Sequence, residues 1–166
     1  AIGDRRFEPF FAAAQSWGAA IFVHALRPAG MDRLVGPPLL EQVVAFPGEV
    51  GLAAASMLTG GMLARHPNLR IAFSHGGGTL RAILPRLQHA WNAFEPIRKL
   101  MPDSPGELVR RMYYDDLVYD AAHARAHLAS HAPDQRNSPR TCVRGLCVGR
   151  GFWHGESIPR LCVRRP

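Results

Sequence analysis

Apolar residues follow two alternating spacings along the first 130 residues. Residues 7–17 repeat them at three- and four-residue intervals, which predicts an amphipathic helix. Residues 19–24 then form a short apolar run ending on a histidine, as buried parallel strands do. The pair is repeated: residues 49–65 predict a second helix, stopped at Pro67, and residues 70–75 predict a second strand that also ends on a histidine.

Three further segments extend the alternation. Residues 79–94 predict a third helix, residues 112–116 a third strand and residues 120–130 a fourth helix. Residues 25–47, rich in proline and glycine, predict a long loop with a short helix at 39–44. The order αβαβαβα predicts an α/β fold with parallel strands, either a doubly wound sheet or an arc of a barrel. The 166 residues fall short of the roughly 250 of a complete (β/α)₈ barrel.

The composition changes after Ser130. Residues 131–166 contain seven arginines against two acidic residues, whereas residues 1–130 hold 13 Lys and Arg against 11 Asp and Glu. All three cysteines lie in this tail, without the paired spacing of a zinc site. We therefore predict two regions, a folded domain over 1–130 and a disordered tail over 131–166. The tail is either a natural basic arm or the product of translation out of frame.

The broad class of protein follows from what the sequence lacks. No apolar run approaches the roughly 18 residues of a membrane span, and no secretory signal pattern opens the chain. A cytoplasmic protein that does not bind membranes is therefore expected. The arginine-rich tail leaves a non-enzymatic nucleic-acid-binding module as an alternative, although Phe152 and Trp153 are its only aromatic residues and no known binding fold is recognisable.

Polar side chains follow the predicted strands. The first strand ends in His24, the second in His75 and the third in Asp115 and Asp116. Active sites of parallel α/β folds lie at this end of the strands. A lone histidine there can be purely structural. Two on neighbouring strands predict either a shared divalent metal, or one metal ligand beside one base that takes a proton from water.

Gly76, Gly77 and Gly78 follow His75 directly. Three residues without side chains predict a sharp turn, with N–H groups directed towards a ligand and open space beside His75. The alternative is a tight connection between strand and helix with no further role.

Three other histidines have simpler interpretations. His123 and His127 are one helical turn apart, a spacing that can bind zinc, but no glutamate base lies between them, which favours a solvated helix face. His66, just before Pro67, is interpreted as a polar helix cap.

Several motifs together resemble the metal-dependent amidohydrolase superfamily, in the branch typified by 2-amino-3-carboxymuconate-6-semialdehyde decarboxylase. They are the Ser-His-Gly-Gly-Gly run from Ser74, the Ser-Met-x-x-Gly-Gly of residues 56–61 and the Asp-x-Leu-Val-x-Asp of residues 115–120. The resemblance covers most of residues 1–128. It implies a partial (β/α)₈ TIM barrel in which the three strands are barrel strands five, six and seven.

The resemblance also implies residue roles. His24 matches a metal ligand, His75 the histidine that activates metal-bound water, and Arg86 an arginine that binds a substrate carboxylate in the neighbouring subunit of a dimer. Ala25 stands where the family commonly has proline. The cofactor implied is a divalent metal, zinc by expectation, and the partners are a small carboxylic acid and a second copy of the chain.

The activity implied is decarboxylation of a small unsaturated or aromatic carboxylic acid, with hydrolysis of an amide or lactone on the same fold as the alternative. The family's His-x-His pair and its strand-eight aspartate are absent from this sequence. Because zinc needs about three protein ligands, we expect the 166 residues alone to bind zinc weakly and to be inactive.

Overall fold

A computed structural model describes residues 1–115, 117–120 and 122 of the chain. These residues form a mixed α/β structure around three short strands, β1 (Ala20–Val23), β2 (Arg70–Phe73) and β3 (Tyr113–Tyr114). The sheet order is β1-β2-β3 and both pairings are parallel. The expected parallel α/β arrangement is confirmed. The correspondence with barrel strands five to seven and the division at residue 130 stay predictions, and the tail over 131–166 lies outside the described residues.

Helices connect and cover the strands. The α-helices are α1 (Glu8–Ser16), α2 (Phe46–Thr59), α3 (Met62–Arg65), α4 (Leu80–Ala93), α5 (Glu95–Leu100) and α6 (Pro105–Leu108). Single 3₁₀ turns occur at Arg5–Phe7, Met31–Arg33, His75–Gly77 and Val109–Arg111, and a π-helical turn, Glu41–Ala45, leads into α2. Within the described part of the chain, no helix is long and apolar enough to cross a membrane.

The predicted second helix is wrong in one respect, because the structure divides it into α2 and α3. Gly61 adopts a left-handed φ of 68°, which stops α2 and starts α3 at a new angle. Gly60 lies against the backbone of the N-terminal segment, where a Cβ would stand 2.2 Å from the Gly3 carbonyl oxygen. The absence of a side chain at Gly60 therefore lets the N-terminal segment pack closely against the end of α2.

Two short helices between α4 and β3 were not predicted. The clearest signal for α6 was present in the sequence: the Ser104 hydroxyl accepts from the Glu107 N–H and the Glu107 carboxylate accepts from the Ser104 N–H, a complete capping box. α5 has proline in its first turn, where its missing N–H costs nothing. Both helices were missed because each is shorter than two turns, too short for apolar periodicity to be visible.

The core lies between the helices and one face of the sheet. Ile71 and Phe73 of β2 are fully buried in it, and Ile21 and Val23 of β1 pack against it. Alternate residues face the other way, and on that face Phe22 is 45% exposed. Among the described residues, helices therefore pack on one face of the sheet and leave Phe22 on the opposite face exposed.

His66 does more than cap a helix. Its backbone N–H closes the end of α3 on the Met62 carbonyl, as a cap position requires, but its buried imidazole also reaches α1. There Nε2 lies 2.6 Å from Oε1 of Glu8, whose Oε2 accepts from Nε of Arg65 at 2.7 Å. The contacts of Glu8 with Arg65 and His66 therefore connect α1 to the end of α3.

Arg111 also binds the end of α3, through its guanidinium group. Its Nη2 is within hydrogen-bonding distance of three carbonyl oxygens in and just after α3, those of Leu63 at 2.7 Å, Pro67 at 3.1 Å and His66 at 3.3 Å. The Leu63 carbonyl cannot accept from the residue four positions later, because that residue is Pro67, so Arg111 supplies a donor at the end of the helix.

We expect Arg111→Met to reduce the free energy of unfolding by about 2 kcal/mol, because buried carbonyls lose charge-assisted hydrogen bonds. Arg110→Met is the matched control, since Arg110 is exposed and should change stability by less than about 0.5 kcal/mol. Urea unfolding followed by circular dichroism measures both. Equal losses for the two variants would contradict the capping role of Arg111.

Candidate active site

His24 and His75 meet at the carboxyl end of the sheet. His24 directly follows β1, and His75 lies two residues beyond the end of the adjacent parallel strand β2. Their ring centroids are 5.2 Å apart. The expected meeting of the two histidines at one edge of the sheet is confirmed, whereas their individual roles stay predictions.

Phe46 closes one side of the histidine pair, a contact that the sequence did not reveal. Its ring centroid lies 5.5 Å from that of His24 and 6.1 Å from that of His75. Phe46 is the first residue of α2, at the end of the long loop that leaves His24. The ring therefore covers one side of the pair, while His24 itself stays exposed.

The ring nitrogens of the pair have unequal surroundings. Nδ1 of His24 lies 2.5 Å from the Ala25 carbonyl oxygen, and since a carbonyl only accepts, this nitrogen carries the proton. Nε2 of His24 is then the nitrogen with a lone pair. Nε2 of His75 is buried and has no hydrogen-bond partner among the described residues. Burial, and next the charge of His24, lower the pKa of His75, against an opposing effect of Asp115.

These nitrogens suit a divalent metal in their chemistry. A neutral imidazole is the form that binds metals, and a ring separation of 5.2 Å allows one ion about 2.0–2.1 Å from a nitrogen of each ring. Nε2 of His75, which has no hydrogen-bond partner among the described residues, is free to coordinate an ion. Within the described ranges, however, no group of three or more His, Cys, Asp or Glu residues could hold a metal ion. The described residues therefore supply an incomplete coordination shell.

The turn after β2 is left-handed over four consecutive residues. The φ angles are 54° at His75, 58° at Gly76, 77° at Gly77 and 59° at Gly78. Only glycine adopts this conformation without a steric cost, and His75 is the one member that has a side chain. The sharp turn expected from the triple glycine is confirmed.

The space beside this turn is occupied by protein. A Cβ at Gly76 would lie 2.3 Å from Cγ1 of Val118, and one at Gly77 would lie 2.7 Å from the Tyr114 ring. The sequence-based expectation of open space is therefore wrong for these glycines. They are required because β3 and the segment after it pack directly on the turn.

The expectation that the glycine N–H groups face a ligand is also wrong. Gly76 donates to the Asp115 carboxylate, Gly77 to the Ser74 carbonyl and Gly78 to the His75 carbonyl. A chain that turns this tightly must satisfy its own backbone groups, and here the protein supplies every acceptor.

The strand register sets a row of polar residues at this edge. Val23 pairs with Phe73, and Phe73 pairs with Tyr114, so the residues that follow them are His24, Ser74 and Asp115. Ser74 is 1% exposed, and its hydroxyl has no hydrogen-bond partner among the described residues. Ser74 and Asp115 are visible in the sequence as members of motifs, and Asp115 also as a strand end, but neither was predicted to act at this site. Parallel register was the signal that could have found both.

Arg86 lies apart from the histidines. It is exposed on α4, where it lines an open groove of about 670 Å³ formed by Ile83, Pro85, Leu87, His89, Ala90 and Phe94. Within the described ranges its guanidinium has no hydrogen-bond or ion-pair partner. The groove includes neither His24 nor His75. His123 and His127, the other candidate metal ligands, lie outside the described residues.

Residues 1–136 match the sequence profile of the family described as Amidohydrolase. The chain is 35% identical, over 121 residues, to 2-amino-3-carboxymuconate-6-semialdehyde decarboxylase of Dictyostelium discoideum, an alignment that covers 72% of this chain and 33% of the relative. It is 32% identical, over 124 residues, to 6-methylsalicylic acid decarboxylase of Penicillium expansum, covering 70% of this chain and 36% of the relative. The chain thus spans about a third of the length of these curated relatives.

Among solved structures, 5-carboxyvanillate decarboxylase of Sphingomonas paucimobilis superposes with a TM-score of 0.66 at 24% identity, covering 82% of this chain and 45% of that one. The apo form of IDCase from Metarhizium anisopliae superposes with a TM-score of 0.69 at 21% identity, covering 78% of this chain and 37% of that one. At these identities the superpositions establish a shared fold.

Proposed function

The chain belongs to the amidohydrolase family, and from this we propose that it supplies part of the active site of a metal-dependent decarboxylase acting on small aromatic or unsaturated carboxylic acids. The observation that carries the proposal is the pair His24 and His75, two imidazoles brought together at the strand ends of a chain whose relatives are decarboxylases. The three strands would then be strands five, six and seven of a (β/α)₈ barrel.

In this proposal His24 holds a divalent metal through Nε2, with Nδ1 fixed by the Ala25 carbonyl. Zinc is the ion expected, since imidazole is one of its usual ligands. Such an ion, when bound, polarises water or the substrate carboxylate. The missing ligands come from parts of a full-length barrel that correspond to no residues described here.

His75 is proposed to handle the proton. Decarboxylation breaks the bond between a substrate carbon and its carboxylate, CO₂ leaves, and the electron pair left on that carbon takes up a proton. A lowered pKa keeps His75 neutral, so it can accept a proton from water, whose hydroxide is released to solvent, and pass that proton to carbon. Phe46, with its ring centroid 6.1 Å from that of His75, covers one side of the imidazole.

Arg86 is proposed to bind a substrate carboxylate in the neighbouring copy of a dimer. Two observations support this: the guanidinium is exposed, and it has no partner among the described residues. A guanidinium fork pairs with both oxygens of a carboxylate. Since the groove around Arg86 excludes the histidines of its own chain, the arginine suits a site on another copy better than its own.

A chimeric enzyme tests the proposed activity. The aligned segment of this chain replaces the corresponding segment of the Dictyostelium decarboxylase, and the chimera is supplied with zinc. We expect CO₂ release from 6-methylsalicylic acid or related aromatic acids, because the chimera restores the full set of metal ligands. CO₂ release and metal content per chain are the measurements.

The isolated 166-residue chain serves as the control and should bind zinc weakly and release no CO₂. A panel of amides and lactones is assayed in parallel. A folded, metal-loaded chimera that hydrolyses these compounds and leaves the acids intact would replace decarboxylation with hydrolysis on the same site.

A further inference from the structure

Asp115, directly after β3, makes a hydrogen bond that crosses from one strand end to the next. Its Oδ1 accepts from the Gly76 N–H at 2.7 Å and from the Leu117 N–H at 3.2 Å. The Asp115 backbone is itself fixed, because its N–H donates to the Phe73 carbonyl of β2 at 3.1 Å. The carboxylate therefore has a fixed position under the turn that begins at His75.

The turn needs an external support of this kind. His75 at a φ of 54° occupies a conformation that costs a residue with a side chain free energy, and such conformations persist only where the surroundings enforce them. The bonds from Gly77 and Gly78 are local, to Ser74 and His75. They close the turn without fixing where it lies.

Besides the packing of other segments on the glycines, hydrogen bonds from Gly76 and Thr79 join the turn to other elements among the described residues. On one side the Thr79 N–H donates to the Pro47 carbonyl at 3.1 Å, a backbone contact that many sequences could make. On the other side the tether is the Asp115 side chain, 39 residues away in sequence from Gly76. A carboxylate is suited to this position because a charged acceptor makes a shorter and stronger bond to an N–H.

We propose that Asp115 is a positioning residue of this site: through Gly76 its carboxylate holds the left-handed turn and so keeps the His75 imidazole against His24. The effect on catalysis rests on the proposed function, but the effect on the position of the ring does not. Asp115 touches neither substrate nor metal in this role.

The test uses the 166-residue chain and three variants, Asp115→Ala, Asp115→Asn and Asp115→Glu. NMR measures hydrogen exchange of the Gly76 amide and nuclear Overhauser contacts between the rings of His24 and His75. We expect Asp115→Ala to speed Gly76 exchange about tenfold or more and to remove the ring contacts. Asp115→Asn should preserve both, because an amide oxygen still accepts from the Gly76 N–H.

Asp32→Ala is the control: Asp32 is an exposed acidic residue of the loop after β1, and its loss should change neither measurement. Gly76 protection and ring contacts that survive in a folded Asp115→Ala chain would overturn the proposal. If Asp115→Ala does not fold, Asp115→Glu is the deciding variant, because its longer side chain displaces the acceptor oxygen. Wild-type protection of the Gly76 amide in Asp115→Glu would also overturn the proposal. None of these measurements depends on CO₂ release, so a failure of this proposal can be distinguished from a failure of the proposed activity.

Discussion

His75→Gln should lower CO₂ release by the chimeric enzyme about 10²- to 10⁴-fold, the usual contribution of a general acid or base. Glutamine is similar in size and retains hydrogen-bonding groups, but it cannot exchange a proton near neutral pH. The buried Nε2 of His75, which has no partner among the described residues, is the atom whose chemistry is removed. Initial rates at saturating substrate, with metal content measured on the same samples, give the effect.

Two matched variants separate the proton-transfer role from metal binding and from stability. His24→Gln should lose bound zinc together with activity, whereas His75→Gln should retain zinc and lose the rate. His66→Gln removes a buried histidine whose partner is Glu8, outside the histidine pair, and should lower the melting temperature while leaving the rate unchanged. Wild-type rates in metal-loaded His75→Gln would remove His75 from its proposed role.

Among the variants proposed for this chain, Gly78→Ala should lose the most stability. We expect the free energy of unfolding to fall by about 3 kcal/mol or more. A Cβ at this position would lie 2.0 Å from the Pro47 carbonyl oxygen and 2.8 Å from the Gly51 nitrogen. Both are backbone atoms of the α2 region, so neither can move without shifting the helix. The positive φ of 59° adds a further cost for any residue with a side chain.

Gly18→Ala provides the control, since it isolates the conformational part of that cost. Gly18 has a similar φ of 63°, but a Cβ there would have nothing within 4 Å. We expect it to lose only about 1 kcal/mol. Denaturant unfolding of the two variants at one temperature gives the difference. Losses of equal size would mean that φ alone, and not the close approach of α2, makes glycine necessary at position 78.

These two sets of variants concern one structural unit. The turn that presents His75 is in contact with α2 through Gly78 and with the end of β3 through Gly76. The histidine pair thus depends on three segments packing together, and α2 also contributes Phe46 to the same pair. Substitutions that loosen this packing should therefore affect the site as well as the fold.

The local pattern of the sequence determined the alternation of helices and strands. The apolar pattern identified β1, β2 and β3 and the helices α1 and α4, because short apolar runs and a 3.6-residue period are visible within a single segment. It also placed His24 and His75 at one edge, since parallel strands align their carboxyl ends whatever packs around them. The family resemblance added Arg86 as a candidate residue and assigned roles to His24 and His75. Contacts within the chain do not decide these roles.

Tertiary structure alone decided the partners of individual side chains. Glu8 and Arg65 are 57 residues apart, and Gly76 and Asp115 are 39 apart. No periodicity links such positions, because they meet only when separate elements pack. The same reason explains why the sequence predicted free N–H groups and open space at the glycine turn. Conformational freedom can be read from glycine itself, whereas the atoms that surround it come from distant segments whose approach only the packed fold defines.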